Sequence, residues 1–579
     1  MATPKSVIVD VLRDMAVLIE LSGGNPFRAR SFANAARTLE SYRGDFAALV
    51  ASNGLTSIKG IGDSLSAKIL ELWQTGAMSE LEELRKQIPP GLFDMLRIPG
   101  LGPKRIHTIH TELGVATIGE LEYACQENRL ALLAGFGAKL QTNILEGIRT
   151  VRLYSARVLY PKALRDAVHL KSVLSAMSEV VRCEVAGSLR RRRETIKDID
   201  LVVTARASDA SLIMHHFVQN ERVAEIIAHG ERKSSIRLDS GIQADLRVVE
   251  PGQFAAALMY FTGSKEHNIE VRGRAQQLGY KLNEYGLFPA DDPEAPVSCA
   301  NEDEIYAALG LSYIPPELRE GRGEVEASAQ HQLPVLLRRE DVRGTFHVHT
   351  QYSDGEGTIA DIARMAEQLG FEYVGIADHS QSAAYAGGLK PERLLEQIDE
   401  IDRHNAAQRG PRILKGIESD IRQDGTLDYD DDLLAKLDFV IASIHSSLKM
   451  DRETMTRRLM TAMSHPAMTA LGHPTGRLLL GREPYEADFQ QVYAEAIRRG
   501  IAIELNAHPM RLDIDWREIR AATECGAKIM INPDAHAPAD MSDVDFGVGI
   551  ARKGWLTPTQ TVNALPLEAI SQFLKGKKI

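Results

Sequence analysis

The chain has 579 residues, 44% of them hydrophobic and 25% charged, and a formal net charge of −11. That is the make-up of soluble globular domains, three or more at roughly 100–200 residues each, and it excludes collagen-like, low-complexity and wholly disordered chains. The charge is unevenly spread: residues 1–290 hold 37 Lys and Arg against 32 Asp and Glu, and the remainder holds 31 against 47. A mildly basic first half fits a polyanionic partner and an acidic second half does not, so the halves are expected to do different work. No stretch reaches the roughly 18 apolar residues of a membrane span. Met1–Glu20 mixes Asp10, Arg13 and Asp14 into its apolar residues, which fits neither a signal nor a transit peptide. Cys125, Cys183, Cys299 and Cys525 lie far apart and form no CxxC. No disulfide framework or cysteine–zinc site is expected, and the expected location is the cytoplasm.

The first 150 residues read as short helices broken by Gly-rich turns. Ile58-Lys-Gly-Ile-Gly62, Ile98-Pro-Gly-Leu-Gly102 and Ala134-Gly-Phe-Gly137 share one plan, an apolar residue, then G-x-G, then an amphipathic helix. Gly60, Gly62, Gly100, Gly102, Gly135 and Gly137 allow a tight turn and close backbone approach, and each following helix offers free N–H groups and its dipole to a phosphate. Lys59, Lys104 and Lys139 lie beside the turns. One copy would read equally as a turn between packed helices. Three copies resemble helix-hairpin-helix elements, which bind DNA phosphates without reading sequence.

From about residue 151 the texture becomes α/β, with strands expected at Arg182–Ala186, Asp198–Thr204 and Gln243–Val249. Asp198 and Asp200, two apart on a strand, share one face, while Ile199, Leu201 and Val203 point the other way into a core. Adjacent carboxylates repel each other unless a divalent cation sits between them. Asp245 is likewise a lone acid in the apolar run Gln243-Ala-Asp-Leu-Arg-Val-Val249. Three such acids suit two Mg²⁺ ions, one activating a hydroxyl and one stabilising a leaving pyrophosphate. The Gly187–Ser188 turn and Arg191 stand ready for phosphates.

G-S-x-R-R followed by D-x-D is similar to the nucleotidyltransferase superfamily. The downstream Tyr260-Phe-Thr-Gly-Ser264 and Asn283-Glu-Tyr285 narrow the resemblance to the family X DNA polymerases, over residues 1 to about 320. The resemblance implies that Asp198, Asp200 and Asp245 bind catalytic Mg²⁺ (or Mn²⁺), with Asp245 also the base for the primer 3′-hydroxyl. It implies Gly187, Ser188 and Arg191 at the β/γ-phosphates; Tyr260, Phe261 and Gly263 on the incoming sugar; Asn268 at the base in the minor groove; Arg272 on the template side; and Lys265 among the dNTP and DNA contacts. It also reaches Lys68, at the offset where the family can carry a Schiff-base lysine for removing 5′-deoxyribose phosphate. Here Ser64 stands where the family often has another lysine, so the basic cluster that would activate Lys68 is thinner.

Pro289, Pro293, Pro296, Pro315 and Pro316 mark a Pro-, Glu- and Gly-rich passage whose latter part, 321–340, is the linker candidate. Beyond it, seven apolar runs alternate with helical stretches: Thr345–Thr350, Tyr373–Asp378, Arg412–Ile417, Phe439–Ile444, Met468–Leu471, Ile501–Leu505 and Lys528–Ile531. That rhythm predicts parallel strands closed as a (β/α)7 barrel with its chemistry at the C-terminal strand ends. Nearly every run delivers a histidine or an acid there: His347, His349 and Asp354, then His379, Glu418, His445, His473, Asp534 and His536. Imidazoles mixed with carboxylates suit Zn²⁺, Mn²⁺ or Fe²⁺, and a cluster of such ions lowers the pKa of bound water and clamps a phosphate. The pattern resembles the PHP (polymerase and histidinol phosphatase) domain, with all nine positions filled. Arg511 and Asp513, in Asn506-Ala-His-Pro-Met-Arg-Leu-Asp513, are pocket candidates or a plain ion pair.

The expected fold is multidomain α/β. Helical helix-hairpin-helix domains span 1–85 and 86–150, a nucleotidyltransferase palm 151–252, a thumb 253–320, a linker 321–340 and a distorted barrel 341–579. The expected activity is template-directed gap filling on DNA with dNTPs, joined to a Mn²⁺- or Zn²⁺-dependent phosphodiesterase, a 3′–5′ exonuclease first and an AP endonuclease or 3′-phosphatase second. A monomer without a membrane partner is expected. Three alternatives stay open: a template-independent nucleotidyltransferase in front, a small-molecule phosphoesterase or a scaffold behind, or a DNA-end-binding module with both sites idle.

Overall fold

The structure, a computed structural model, describes residues 5–575 except 41, 43, 45, 53, 127, 128, 155, 156, 293, 408 and 409, so Pro293 of the proline-rich passage lies outside the described residues. The chain divides into two compact units, Met1–Ala156 and Arg157–Ile579.

The first unit is helical. In the helix Lys5–Leu21, Ile8, Leu12, Met15 and Ile19 recur at the spacing of one helix face, and all four are buried. They join one core with Phe32, Ala36 and Leu39 of the helix Pro26–Glu40 and with Ile69, Ile106 and Ile144 further on. The helices Asp63–Thr75, Pro103–Leu113 and Ala138–Tyr154 each begin directly after a Gly-rich turn.

The second unit opens on seven strands: β1 (Val158–Leu159), β2 (Arg182–Val185), β3 (Thr195–Ile196), β4 (Asp198–Thr204), β5 (Val223–His229), β6 (Lys233–Leu238) and β7 (Gln243–Val249). β1 pairs with β3, and the rest form a sheet in the order β2-β4-β7-β6-β5. Only the β4–β7 pair is parallel, and its register sets Asp200 beside Asp245. Ile199, Leu201, Val203, Ala244, Leu246 and Val248 turn to the covered face, against the helices Tyr160–Ser175 and Ala210–Val218. β5 and β6 go beyond the sequence expectation. β5 is an edge strand with nearly all of its residues exposed, so it shows no apolar alternation.

Residues 254–318 add the helices Phe254–Thr262, Lys265–Gln277 and Glu302–Ala308 and the hairpin β8 (Tyr280–Asn283) with β9 (Gly286–Pro289). Buried charge ties them to the sheet. Glu302 receives Arg319 Nη1 (2.6 Å) and both terminal nitrogens of Arg190 (2.9 and 2.5 Å), and Arg319 is fully buried. Against its own desolvation, Arg319 and Arg190 hold the Glu302 carboxyl at about 2. The stretch expected as a linker is a packed strap. It holds a helix, Glu324–Ala329, and a fully buried Glu324 that bonds His267 Nδ1 at 2.8 Å, and its Leu337 N–H donates to Leu556 O at 2.9 Å.

The chain then forms seven parallel neighbours in sequence order: β10 (Gly344–Val348), β11 (Tyr373–Ile376), β12 (Arg412–Asp420), β13 (Phe439–Ser443), β14 (Ala470–Leu471), β15 (Ala502–Asn506) and β16 (Ile529–Asn532). Each falls on an expected run. β12 continues three residues past the expected end at Ile417, which puts Glu418 and Asp420 on the strand itself. The sheet nearly closes. At the seam His349 N–H donates to Ala535 O (2.8 Å), and Asn563 bridges the far end through Gly344 O (3.0 Å) and Ile531 O (2.8 Å). Phe346, Tyr373, Phe439, Ile441 and Met530 fill the interior, so it is a packed core with its open end at the C-terminal strand ends.

Removing Glu302 leaves Arg319 a buried cation without its carboxylate. Glu302→Ala should destabilise the second unit by about 3–5 kcal/mol at neutral pH, read from its thermal unfolding. Because the carboxyl is depressed in the folded state, its contribution is complete above the ordinary value of 4.5 and is lost as pH falls through about 2, so variant and wild type should converge over that window.

Candidate functional site

In the first unit Gly60, Gly100 and Gly135 sit at φ of +92°, +85° and +83°, which favours glycine for the turn itself. Gly62 and Gly102 are different. They are extended N-caps (φ −89° and −88°) whose helices receive no side-chain cap, and a Cβ on Gly62, Gly102 or Gly137 would meet nothing within 4 Å. The fold does not demand glycine there, and the bare N-caps leave room for an outside group to come close to the helix N-terminus. Lys59, Lys104 and Lys139 are exposed beside these turns. Lys68 is ion-paired with Glu80, which also takes Arg28. A Schiff-base lysine is activated by desolvation or a neighbouring cation, and the immediate partner here is a carboxylate.

In the second unit the helical turn Gly187–Arg190 sits over β4. Gly187 has φ +63°, and a Cβ on it would lie 2.1 Å from Asp200 Oδ2, so only glycine lets the turn approach the acids. Asp198, Asp200 and Asp245 come to one face, and Gln243 Nε2 donates to Asp245 Oδ1 at 2.9 Å. Burial, then Asp198 and Asp245, push Asp200 up to about 7. Arg191 bonds Glu320 Oε1 through Nε (3.0 Å) and the Thr262 carbonyl through Nη1. Ser188 is half-buried in the same turn. Tyr260 and Phe261 meet edge to face at 5.2 Å, Asn268 Nδ2 donates to Tyr260 O at 2.8 Å, and Arg272 Nε donates to Asn268 O at 3.2 Å. Tyr260, Asn268 and Arg272 line one small pocket with Leu282 and Asn283. Lys265 is exposed at the start of its helix. Arg247, which the sequence reading passed over, lies 4.1 Å from the Phe261 ring and is the first of the cations that pull Asp200 down.

At the open end of the barrel all nine expected histidines and acids converge. Glu418 lies at the centre, with Oε1 3.2 Å from His347 Nε2, 3.2 Å from His445 Nε2 and 3.0 Å from His473 Nε2, and Oε2 2.8 Å from His379 Nδ1. Asp534 Oδ1 is 3.1 Å from His349 Nε2 and 3.5 Å from His347 Nε2. Asp354 lies 3.5–3.7 Å from His349, His379 and His536. His347, His473 and Asp534 hold positive φ (55°, 23° and 53°), so the site spends backbone strain to aim its side chains. Arg511 Nε lies 3.6 Å from Asp534, and its buried Nη1 makes no hydrogen bond. Asp513 instead turns inward, accepting from Thr475 N (3.0 Å) and Oγ1 (2.9 Å).

Comparison with known proteins sets these sites in a family. The family profile of the DNA polymerase beta thumb matches residues 257–320, that of the PHP domain 345–508, a helix-hairpin-helix domain 3–78, and a SAM-like helix-hairpin-helix tandem 93–150. The chain is 38% identical over 573 residues to the DNA polymerase/3′-5′ exonuclease PolX of Bacillus subtilis (strain 168), covering 99% of each protein. The chain belongs to the family X DNA polymerases that carry a PHP domain. The PHP region alone is 29% identical over 250 residues to a probable phosphatase of Thermoanaerobacter sp. (strain X514), and 27% identical over 244 residues to one of Shewanella sediminis (strain HAW-EB3); these span 40% of the chain and 94% and 93% of those proteins.

The histidine–acid cluster of the PHP half fits cations, whereas Asp198, Asp200 and Asp245, though on one face, are not among the groups whose donor atoms gather within 4.8 Å of one another. In the PHP half His347 Nε2, His349 Nδ1 and Glu418 Oε2 are buried yet make no well-formed hydrogen bond, as donor atoms awaiting a cation would be, while His473 turns Nε2 to Glu418 and its unpaired Nδ1 away. Three groups bring their donor atoms within 4.8 Å of one another: His349, Asp354, His379 and His536; His347, His349 and Asp534; and His379, Glu418 and His445. Protons alone balance the charge awkwardly. Against burial, neighbouring acids raise His445 to about 10 and His536 to about 9, while burial and neighbouring cations lower His349 and His473 to about 4. Behind the ligands stand two acids the sequence reading missed. Glu504 takes His347 Nδ1 at 2.7 Å and His473 N at 2.5 Å, and Asp420 takes His445 Nδ1 at 2.5 Å; both orient imidazoles from behind. Glu504, a lone acid in an apolar strand, and Asp420, two residues after Glu418, were the available signals.

The two kinds of glycine in the hairpins should separate on mutation. Gly62→Ala with Gly102→Ala should keep the thermal midpoint and weaken binding to a labelled duplex, with a shallower salt dependence. Gly60→Ala should lower stability by about 1–3 kcal/mol through its positive φ.

Proposed function

We propose that the chain extends and trims DNA 3′ ends, filling short gaps under template direction in the palm and removing 3′ nucleotides in the PHP half. The observation that carries this reading is that two acid-rich centres stand in one unit, one under the Gly187–Ser188 turn and one at the mouth of a barrel. The B. subtilis relative, named for both activities, aligns over both centres.

In the palm, Asp198, Asp200 and Asp245 would hold Mg²⁺ or Mn²⁺, which supplies the positive charge that an ionising primer hydroxyl and a departing pyrophosphate need. Asp245 takes the proton of the 3′-hydroxyl. Gly187, Ser188 and Arg191 hold the β/γ-phosphates of the dNTP, Tyr260, Phe261 and Gly263 pack on its sugar, and Asn268 and Arg272 meet the nascent base pair, with Lys265 nearby. In the PHP half the nine histidines and acids would hold Mn²⁺ or Zn²⁺, which supplies an acidified water and a clamp on phosphate oxygens. There Arg511, with its unengaged nitrogen, holds a phosphate oxygen of the scissile ester. The named residues all lie in one chain, so a monomer suffices. The four cysteines are unpaired, as in a reducing cytoplasm, and among the described residues no helix is long and apolar enough to cross a membrane. A second reading of the PHP half, a phosphomonoesterase, is favoured by its probable-phosphatase relatives.

Asp198→Ala with Asp200→Ala should abolish templated primer extension and leave shortening of a labelled oligonucleotide intact. His347→Ala with His349→Ala should do the reverse. Equal incorporation of all four nucleotides opposite one template base would defeat the polymerase reading. Release of inorganic phosphate without mononucleotides would favour the phosphomonoesterase. Chelation should stop both activities, with Mn²⁺ restoring the nuclease.

A further inference from the structure

Lys553 ends the helix Val544–Lys553 of the PHP half, where a lysine ordinarily faces water, yet its side chain is fully buried. Its ammonium donates to the backbone carbonyls of Arg191 (3.0 Å) and Glu317 (3.4 Å), pairs with Glu320, and stands 4.6 Å from the Trp516 ring centroid. An ammonium has three N–H donors, and three oxygens take them. Arg191 is thereby fixed twice. Lys553 holds its backbone, and Glu320, which the same ammonium anchors, holds its guanidinium at 3.0 Å. Arg193 Nη1 reaches the other Glu320 oxygen at 3.2 Å. The Arg193 N–H closes onto Ser188 O at 3.1 Å and that of Arg191 onto Gly187 O at 3.3 Å, so the turn facing Asp200 is one hydrogen-bonded piece.

We propose that Lys553 is a positioning residue for nucleotide addition: from the PHP half it fixes the Gly187–Arg193 turn, and with it Arg191 and Ser188, where the triphosphate of the incoming nucleotide is held. The inference rests on the synthesis reading above. Other contacts keep the barrel docked on the palm, thumb and strap without Lys553. Arg552 pairs with Glu317 at 2.7 Å, Arg477 stands 3.7 Å from Glu194, and Arg322 Nη2 donates to Arg517 O at 3.2 Å. Losing the ammonium therefore loosens the turn and leaves the halves docked. The PHP half is then part of the polymerase site, reaching 362 residues back along the sequence to touch it.

The test is single-nucleotide insertion by the full chain on gapped DNA, alongside shortening of a labelled oligonucleotide. Lys553→Met should raise KM for the dNTP about tenfold, ~1.4 kcal/mol, while kcat changes less than about threefold and the nuclease less than about twofold. Glu320→Gln should raise KM similarly, and the double variant should be no worse than the poorer single, because both act through one contact. Lys553→Arg, which keeps charge and donors, should recover part of the loss. An unchanged KM in Lys553→Met overturns the proposal. So does a parallel fall of synthesis, nuclease and thermal midpoint, which marks plain interface glue. If Lys553→Met does not fold, Lys553→Arg and Glu320→Gln decide: wild-type KM in Glu320→Gln, or additive effects in their combination, overturns it. A wild-type chain that inserts nucleotides without regard to template would sink the synthesis reading instead, a separate outcome.

Discussion

Carboxylates crowded on neighbouring strand ends cannot all stay ionised unless positive charge is brought to them, and both halves of the second unit are built around that requirement. In the palm the parallel pairing of β4 with β7 forces Asp200 beside Asp245, and the apolar residues alternating with them lock the register from the covered face. The acids cannot relax apart without moving Ile199, Leu201 or Leu246 out of a packed core. Repulsion is thus stored in the scaffold, and it shows in Asp200, which burial and its two acidic neighbours push up to about 7. At the barrel mouth the same problem is met with imidazoles: Glu418 has four histidines within 3.2 Å and a fifth, His349, at 3.9 Å, and Glu504 and Asp420 add charge behind them.

Where no outside cation is called for, the protein supplies its own. Glu302 is held by two arginines and Glu320 by two arginines and a lysine, all in the layer between sheet, strap and barrel. Largely buried pairs of this kind add little net stability over apolar packing, because desolvation offsets their attraction, but breaking one is costly. What they provide is placement: a guanidinium or ammonium fixed by several oxygens has one geometry, whereas a greasy contact tolerates several. The turn over the palm acids is surrounded by such pairs, and that is where a misplacement of an ångström would matter.

The fold was legible wherever one strand or helix carries its own pattern. The seven barrel runs, the Asp198–Thr204 strand and the three G-x-G turns each announce themselves within ten residues, and all nine candidate histidines and acids sit at or just past strand ends, where the topology alone sends chemistry. β5 was invisible because an exposed edge strand has no apolar period to read, and β6 because its buried residues include Ser234 and Ser235 beside Ile236, which breaks the alternation. Positive φ at His347 and Asp534 was invisible too. A strict alternation of His347 and His349 puts both rings on one face, but the strand is kinked by a register shift there, and it is the kink that lets both rings reach Asp534. Glu504 and Asp420 were readable as lone or same-face acids, but their role, orienting a ring from behind, exists only once other strands are in place.

The 321–340 segment shows the limit most clearly. Proline, glycine and charge mark it as a connection, and composition cannot distinguish a loose tether from a strap whose charges are buried. The difference lies in partners far away in sequence: Glu324 meets His267, Leu337 pairs with Leu556, and Glu320, just ahead of the segment, meets Arg191, Arg193 and Lys553. Glu324 and Arg322 thus bond outside the segment, to the thumb helix residue His267 and to Arg517 O of the barrel, while Glu326, Arg338 and Glu340 stay exposed. Palm and barrel are therefore not beads joined by a thread. The segment that connects them in sequence also cements them in space, and a residue on the last turn of a barrel helix can belong, by contact, to the site at the other end of the strap.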